Sequence, residues 1–343
     1  MALTFDKSYE NGGLNSNREE LLDLTTVLSP RQAPVYGLLS KQAVSADRVE
    51  WTVDNLRDPA DVAVIEGTDV DFTAGGSTDA EQFDNLVRLD NRVEHFRDQF
   101  LVSKKQEVYD SVTPVKIQQA EEKATSQLLR DIEKSICGDQ GGQAGNGTTA
   151  GKSRGLGAWT NPAGAGEGAG SGITEIDSNF RTKAESVHTA AEGALTESAF
   201  AGLLASIFNE VGEMQDLHLV ADTALRNHIV DEFTRADSTA SAVRYNVEGS
   251  EAVVEYNVEL FRGPFGIVKI VTGNPKCMPD TAGATANSRG YIIDPNLLAW
   301  GEALSMGSTM LEDQGAGPRG YIDCMGTLIC KGPNGLGKIE DIA

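Results

Sequence analysis

The segment from Pro114 to Cys137 constrains this chain most: it carries Ile117, Ala120, Ala124, Leu128, Ile132 and Ile136 at steps of three and four residues. That spacing puts all of them on one stripe of an α-helix. Thr113 is a good N-cap, Pro114 suits the first helical position and Gly138 follows the last, so the helix is bounded at both ends. At 1.5 Å per residue it is about 35 Å long. With one apolar and one polar side, it is expected to lie across a sheet. Gly138 to Gly172 then forms a glycine-rich run, unusually long for a connection inside a folded domain. A mobile surface loop anchored by Leu156 and Trp159 is expected there.

Upstream, residues 1–47 hold two proline turns, Ser29-Pro30 and Ala33-Pro34, and one short apolar cluster that includes Leu21, Leu24 and Leu28. So little apolar surface cannot fold alone, so this arm needs a partner surface on its own subunit or on a neighbour. From Arg48 the pattern changes to period two, with Val49, Trp51 and Val53 alternating with Glu50, Thr52 and Asp54. A second extended stretch, Leu86 to Val102, contains Phe96 and Phe100, and the acidic, glycine-containing segment Glu66 to Asp84 separates the two. The simplest reading is a long two-stranded projection with a flexible tip. A lone ribbon is marginally stable in water. Trp51, Val53, Phe96 and Phe100 are therefore candidate contacts with another copy, together with the arm residues Leu21, Leu24 and Leu28.

At 343 residues the chain exceeds the roughly 250–300 at which one core stops growing, so two lobes, or one lobe with extensions, are expected. The first spans 111–212, with the long helix. The second spans 213–300 and opens with a strand at Leu217–Val220 and a helix at Thr223–Phe233, an α/β order. A helix from the cap Thr196 to Gly212 precedes it, and a hairpin from Ala252 through Gly263–Gly266 to Val271 follows. Residues 301–343, with a last strand at Tyr321–Cys330, return to the first lobe.

The formal net charge of −22 would repel phosphate backbones, so direct nucleic-acid binding is not expected. Gly151-Lys152-Ser153 ends like a phosphate-binding loop, but the earlier glycine that loop requires is Asn146. His95, His188, His218 and His228 are scattered without ligand spacing, and Asp69, Asp71, Asp79 and Asp84 lack the rhythm of a calcium loop. No catalytic residue, cofactor or metal site is therefore expected. Cys137, Cys277, Cys324 and Cys330 read as buried reduced thiols. The N-terminus lacks a basic segment followed by an apolar run, and no stretch has the apolar length of a spanning helix. A protein made and kept in a cytoplasm is expected.

An arm, a β projection, a long helix, an α/β lobe and a returning strand, in that order, resemble the HK97-like major capsid fold, an α+β architecture. The chain is most similar to the SU10-like capsid family. The matching stretches are Leu28-Ser29-Pro30-Arg31-Gln32-Ala33-Pro34, Val49-Glu50-Trp51, Arg130-Asp131-Ile132-Glu133-Lys134, Arg154-Gly155-Leu156, Leu219-Val220 and Tyr291-Ile292-Ile293-Asp294-Pro295. The resemblance implies an extended loop over 48–110, a spine helix of a peripheral domain at 113–137 and an axial domain in the α/β lobe. It further implies hexamers and pentamers of a virion shell around double-stranded DNA, with a separate scaffolding protein, a portal and a decoration protein as partners. Other polymerising virion proteins, a tail tube or a decoration protein, are the alternative.

Overall fold

In the computed structural model the long helix runs Lys116–Cys137, and Ala124, Leu128, Ile132 and Ile136 are each at most 3% exposed. The structure describes residues 33–56, 59, 61, 63, 65–67, 69, 86–109, 116–163, 176–212, 216–234, 245–248, 251–254, 259–278 and 289–340. The expected cap Thr113-Pro114 lies outside them.

In chain order the first elements are α1 (Pro34–Leu38), β1 (Ser40–Ala43), β2 (Arg48–Val53), β3 (Val87–Arg92), β4 (Glu94–Leu101), α2 (Lys104–Val108), α3 (Lys116–Cys137) and α4 (Leu156–Trp159). Next come β5 (Val187–His188), α5 (Glu197–Val211), β6 (Asp216–Ala221), α6 (Thr223–Thr234), β7 (Tyr245–Glu248) and β8 (Glu251–Val254). The chain closes with β9 (Leu260–Gly263), β10 (Gly266–Thr272), β11 (Gly290–Ile293), β12 (Leu298–Leu311), β13 (Arg319–Cys330) and β14 (Gly337–Ile339).

Two sheets organise these elements. The first has the order β1-β12-β13-β4 and is antiparallel except for the β1–β12 pair. Helix α3 lies across it, as its stripe requires, and its side chains share one core with Phe96, Phe100, Trp300, Ile322 and Leu328. Each of Leu128, Ile132 and Ile136 is buried there, a gain of about 2 kcal/mol apiece from leaving water. The second sheet has the order β5-β14-β11-β6-β10-β9. In β6, Leu217, Leu219 and Ala221 face a second core with α5 and α6, while Val220 faces the first. Being covered on both faces is why Leu219–Ala221 of β6 and Tyr291–Ile293 of β11 read as unbroken apolar runs.

Helix α5 forms where its caps predict. The Thr196 side chain accepts the Ala199 N–H at 3.2 Å, and Gly212 closes the helix at φ +73°, a left-handed conformation that glycine adopts without steric cost. Its Phe200, Leu203, Leu204 and Ile207 pack on the second sheet.

The structure corrects several expectations. The stretch 86–102 is two strands, not one. β3 pairs with β2 as the expected ribbon, whereas β4, beyond Val93, belongs to the first sheet. Segment 187–212, expected with the long helix, joins the second lobe through β5 and α5, and the returning C-terminal segment reaches that lobe too through β14. Of the strand expected across 252–260, β8 pairs back with β7 and β9 makes the hairpin with β10, while residues 255–258 lie outside the described ones. Within the glycine-rich run Leu156 and Trp159 are buried as the expected anchors, Arg154 is buried with them, and Gln143 and Lys152 pair backbone to backbone, while residues 145–150 are exposed.

All four cysteines are free and buried. Burial pushes the Cys324 thiol up to about 12 and raises the other three as well, which keeps them in the unreactive thiol form.

Candidate assembly surface

The root of the projection is the β2–β3 ribbon, in register from Arg48↔Arg92 to Val53↔Val87. Trp51 fastens it to the body. Its indole N–H donates to the Cys330 carbonyl at 2.9 Å, and its ring lies 5.8 Å from that of Trp159. The rest of Trp51 stays half-exposed in the wall of an open groove of about 410 Å³, with Val49, Val53, Gln42, Ile329 and Lys331 around it.

The other residues expected to contact a neighbour fall in different places. Phe96 and Phe100 are sealed in this chain's own core, Phe96 with its ring 6.3 Å from that of Trp300. Val53 is buried in the same core. Alternation along β4 hides them because the strand is paired to β13 and roofed by α3, which supply the cover that the sequence pattern left unassigned. Leu21, Leu24 and Leu28 lie outside the described residues. Of the acidic residues of the projection, Asp69 is exposed and Asp71, Asp79 and Asp84 are outside the description. Ser153 of the phosphate-loop lookalike is buried, its hydroxyl taken up by Thr327, Asn91 and the Leu328 N–H.

Three polar residues to which the sequence reading gave no role hold this surface in place, Glu133 and Asn91 buried and Glu94 half-buried. Ala33 offers α1 no side-chain cap, and Glu133 of α3 substitutes for it: its two carboxylate oxygens accept the Val35 and Tyr36 N–H groups, each at 2.9 Å. That contact ties the end of the arm to the long helix. Glu94 accepts the Ser135 hydroxyl at 2.6 Å and the Ser153 N–H at 3.2 Å. Asn91, at the end of the ribbon, joins it to β13 by donating to the Leu328 carbonyl at 2.7 Å. The only signal for Glu133 is its place three residues before Ile136, at the border of the stripe.

Burial raises the carboxyls of both Glu94 and Glu133, against the pull of the hydrogen bonds they accept. Their folded values lie above their unfolded ones. The folded chain therefore holds the proton more tightly, and the associated stability is full below the ordinary glutamate value and lost as pH rises through the raised one. The advantage in thermal midpoint of the wild type over Glu94→Gln, and over Glu133→Gln, is expected to grow as pH falls from about 7.5 to about 5. A constant or shrinking advantage across that series would refute the assignment.

Among the described residues no His, Cys, Asp and Glu cluster could hold a metal ion, and no helix is long and apolar enough to cross a membrane. The chain matches the family described as SU10 major capsid protein over residues 4–343. It belongs to that family. Solved structures agree on the fold. The capsid of the cyanophage P-SCSP1u aligns with a TM-score of 0.59 at 11% identity, covering 97% of this chain and 98% of that one. The Gordonia phage Cozz aligns at 0.58 and 12%, covering 99% and 98%. The capsid of a native GTA particle aligns at 0.56 and 14%, over the whole of both chains. No curated protein matches. The fold is HK97-like, as in these solved capsids, and by its family the protein is a major capsid protein, a structural component of the virion shell.

Proposed function

We propose that this capsid protein assembles into hexamers and pentamers tiling an icosahedral head that encloses double-stranded DNA without reading its sequence. The observation that carries the reading is the family match over residues 4–343, together with end-to-end alignment to solved phage capsids. In this reading the α3 lobe is the peripheral domain, the six-stranded sheet the axial domain and the β2–β3 ribbon the base of the extended loop. The outer face of Trp51 and the arm leucines Leu21, Leu24 and Leu28 meet neighbouring copies. Scaffolding protein, portal and any decoration protein are separate chains, and the work of this one is mechanical, not catalytic. A tail tube is the poorer alternative, because α3 roofing a mixed sheet has no place in a wall built of strands alone.

Electron microscopy of the purified protein tests this. Closed particles or flat capsomers are expected; a monomer that stays inert at every salt concentration and with scaffold present would overturn it. Each copy carries −22, so assembly is expected to rise as salt goes from about 0.01 M to about 0.15 M and the screening length shrinks from about 30 Å to about 8 Å. Light scattering across that titration reads the effect.

A further inference from the structure

Strand β12 is paired to β13 from Leu298 to Leu311, with register shifts between Glu302 and Gly307, and among the described residues its other side is covered only from Ala299 to Glu302, where β1 lies. The last backbone bond on that side is the Val44 N–H donating to the Glu302 carbonyl at 3.0 Å. Among the described residues no strand flanks that side from Ala303 to Leu311. The stretch reads Ala-Leu-Ser-Met-Gly-Ser-Thr-Met-Leu, with no charge and no proline, in a chain of which 23% is charged. Leu304, Met310 and Leu311 are 41%, 54% and 45% exposed. An open edge is a row of unpaired N–H and C=O groups that recruits other strands, so exposed edges are ordinarily guarded by lysine, proline or bulges. The opposite edge of this sheet, β4, carries Glu94, Arg97 and Asp98. On β12 the register irregularities stop at Gly307, and Gly307 to Leu311 runs regular, uncharged and exposed.

We propose that the β12 edge from Gly307 to Leu311 pairs with an extended strand of a second copy of this chain. The proposal rests on the assembly reading above. Charge selects the occupant. Copies at −22 each repel, and they approach at least Coulomb cost where neither presents a charge. Nucleic acid finds no Lys or Arg on this strand to neutralise its phosphates.

Hydrogen exchange read by mass spectrometry, on assembled particles and on subunits dissociated from them, tests the pairing. Amides of Gly307–Leu311 are expected to exchange at least about tenfold slower in particles. Ser308→Lys and Met310→Lys alter exposed positions, so both should fold with a wild-type midpoint; each is expected to lower particle yield at least about tenfold, while Ser308→Thr keeps it. Equal exchange in the two states, or wild-type yield from both lysine variants, would overturn the proposal while leaving the assembly reading intact. Protection that depends on a different gene product would overturn the choice of a second copy. Wild-type protein that never forms particles would overturn both readings together.

Discussion

Gly155→Ala is expected to cost the folded subunit about 4 kcal/mol and to lower its thermal midpoint by about 10 °C. A Cβ on Gly155 would stand 2.2 Å from the Gly138 carbonyl oxygen and 2.9 Å from that of Ser135. Both are backbone atoms at the end of α3, so no side chain can rotate away to make room. Relief requires the segment 153–157 to lift off the helix end. That breaks the Gly155 N–H bond to the Gln140 carbonyl at 3.1 Å and the Gly157 N–H bond to the Gly138 carbonyl at 3.0 Å. It also drags the buried Leu156 and Trp159 from the core, and Trp159 is the ring on which Trp51 of the ribbon rests. Gly147→Ala, in the same glycine-rich run but with nothing within 4 Å of the added Cβ, is expected to stay within about 0.5 kcal/mol of wild type. Urea or thermal unfolding of the two variants side by side decides the matter, and equal stabilities would show that the close approach at Gly155 is not real.

That contrast shows why the glycine run could be read only in part from sequence. Glycine is required where backbone passes close to backbone and is also common where a chain is merely flexible, and composition cannot separate Gly155 from Gly147. Elements whose signal is periodic and local were legible: the α3 stripe, the Thr196 and Gly212 ends of α5, and the strand at Leu217–Val220, which is β6. What depends on partners distant in sequence was not. The alternation around Phe96 suits a projecting ribbon and a sheet edge equally, and only pairing with residues near Cys324 assigns it to the sheet. The parallel seat of β1 on β12, from Ser40↔Ala299 to Ala43↔Glu302, leaves no mark in either segment. The family was legible from the order of segments because that order survives changes in individual residues. The contact residues were less so, since large apolar side chains look alike whether the chain or its neighbour covers them.

Asn91 shows most sharply how such a distant constraint acts. It is fully buried, and its side-chain amide donates to the Leu328 carbonyl at 2.7 Å and to the Ser153 hydroxyl and Arg154 carbonyl, both at 3.2 Å. Its oxygen accepts the Arg154 N–H at 2.7 Å and the Arg92 N–H at 2.8 Å. One side chain thus locks together the ribbon strand β3, the glycine-rich segment and β13. Asn91→Asp keeps the shape but turns donors into acceptors facing two carbonyl oxygens, with a buried charge added. Asn91→Leu removes these side-chain hydrogen bonds altogether. Unpaired buried polar groups cost about 1–3 kcal/mol each, and charged ones more, so Asn91→Asp is expected to lose about 4 kcal/mol and Asn91→Leu about 3. Because Asn91 sits where the ribbon meets the body, the loss should begin locally. Amides of β2 and β3 are expected to exchange faster than those of α3 in either variant, under conditions where the subunit is still folded. Uniform acceleration across β2, β3 and α3 would mean that Asn91 stabilises the subunit as a whole instead of rooting the ribbon, and wild-type exchange in both variants would remove it from either role.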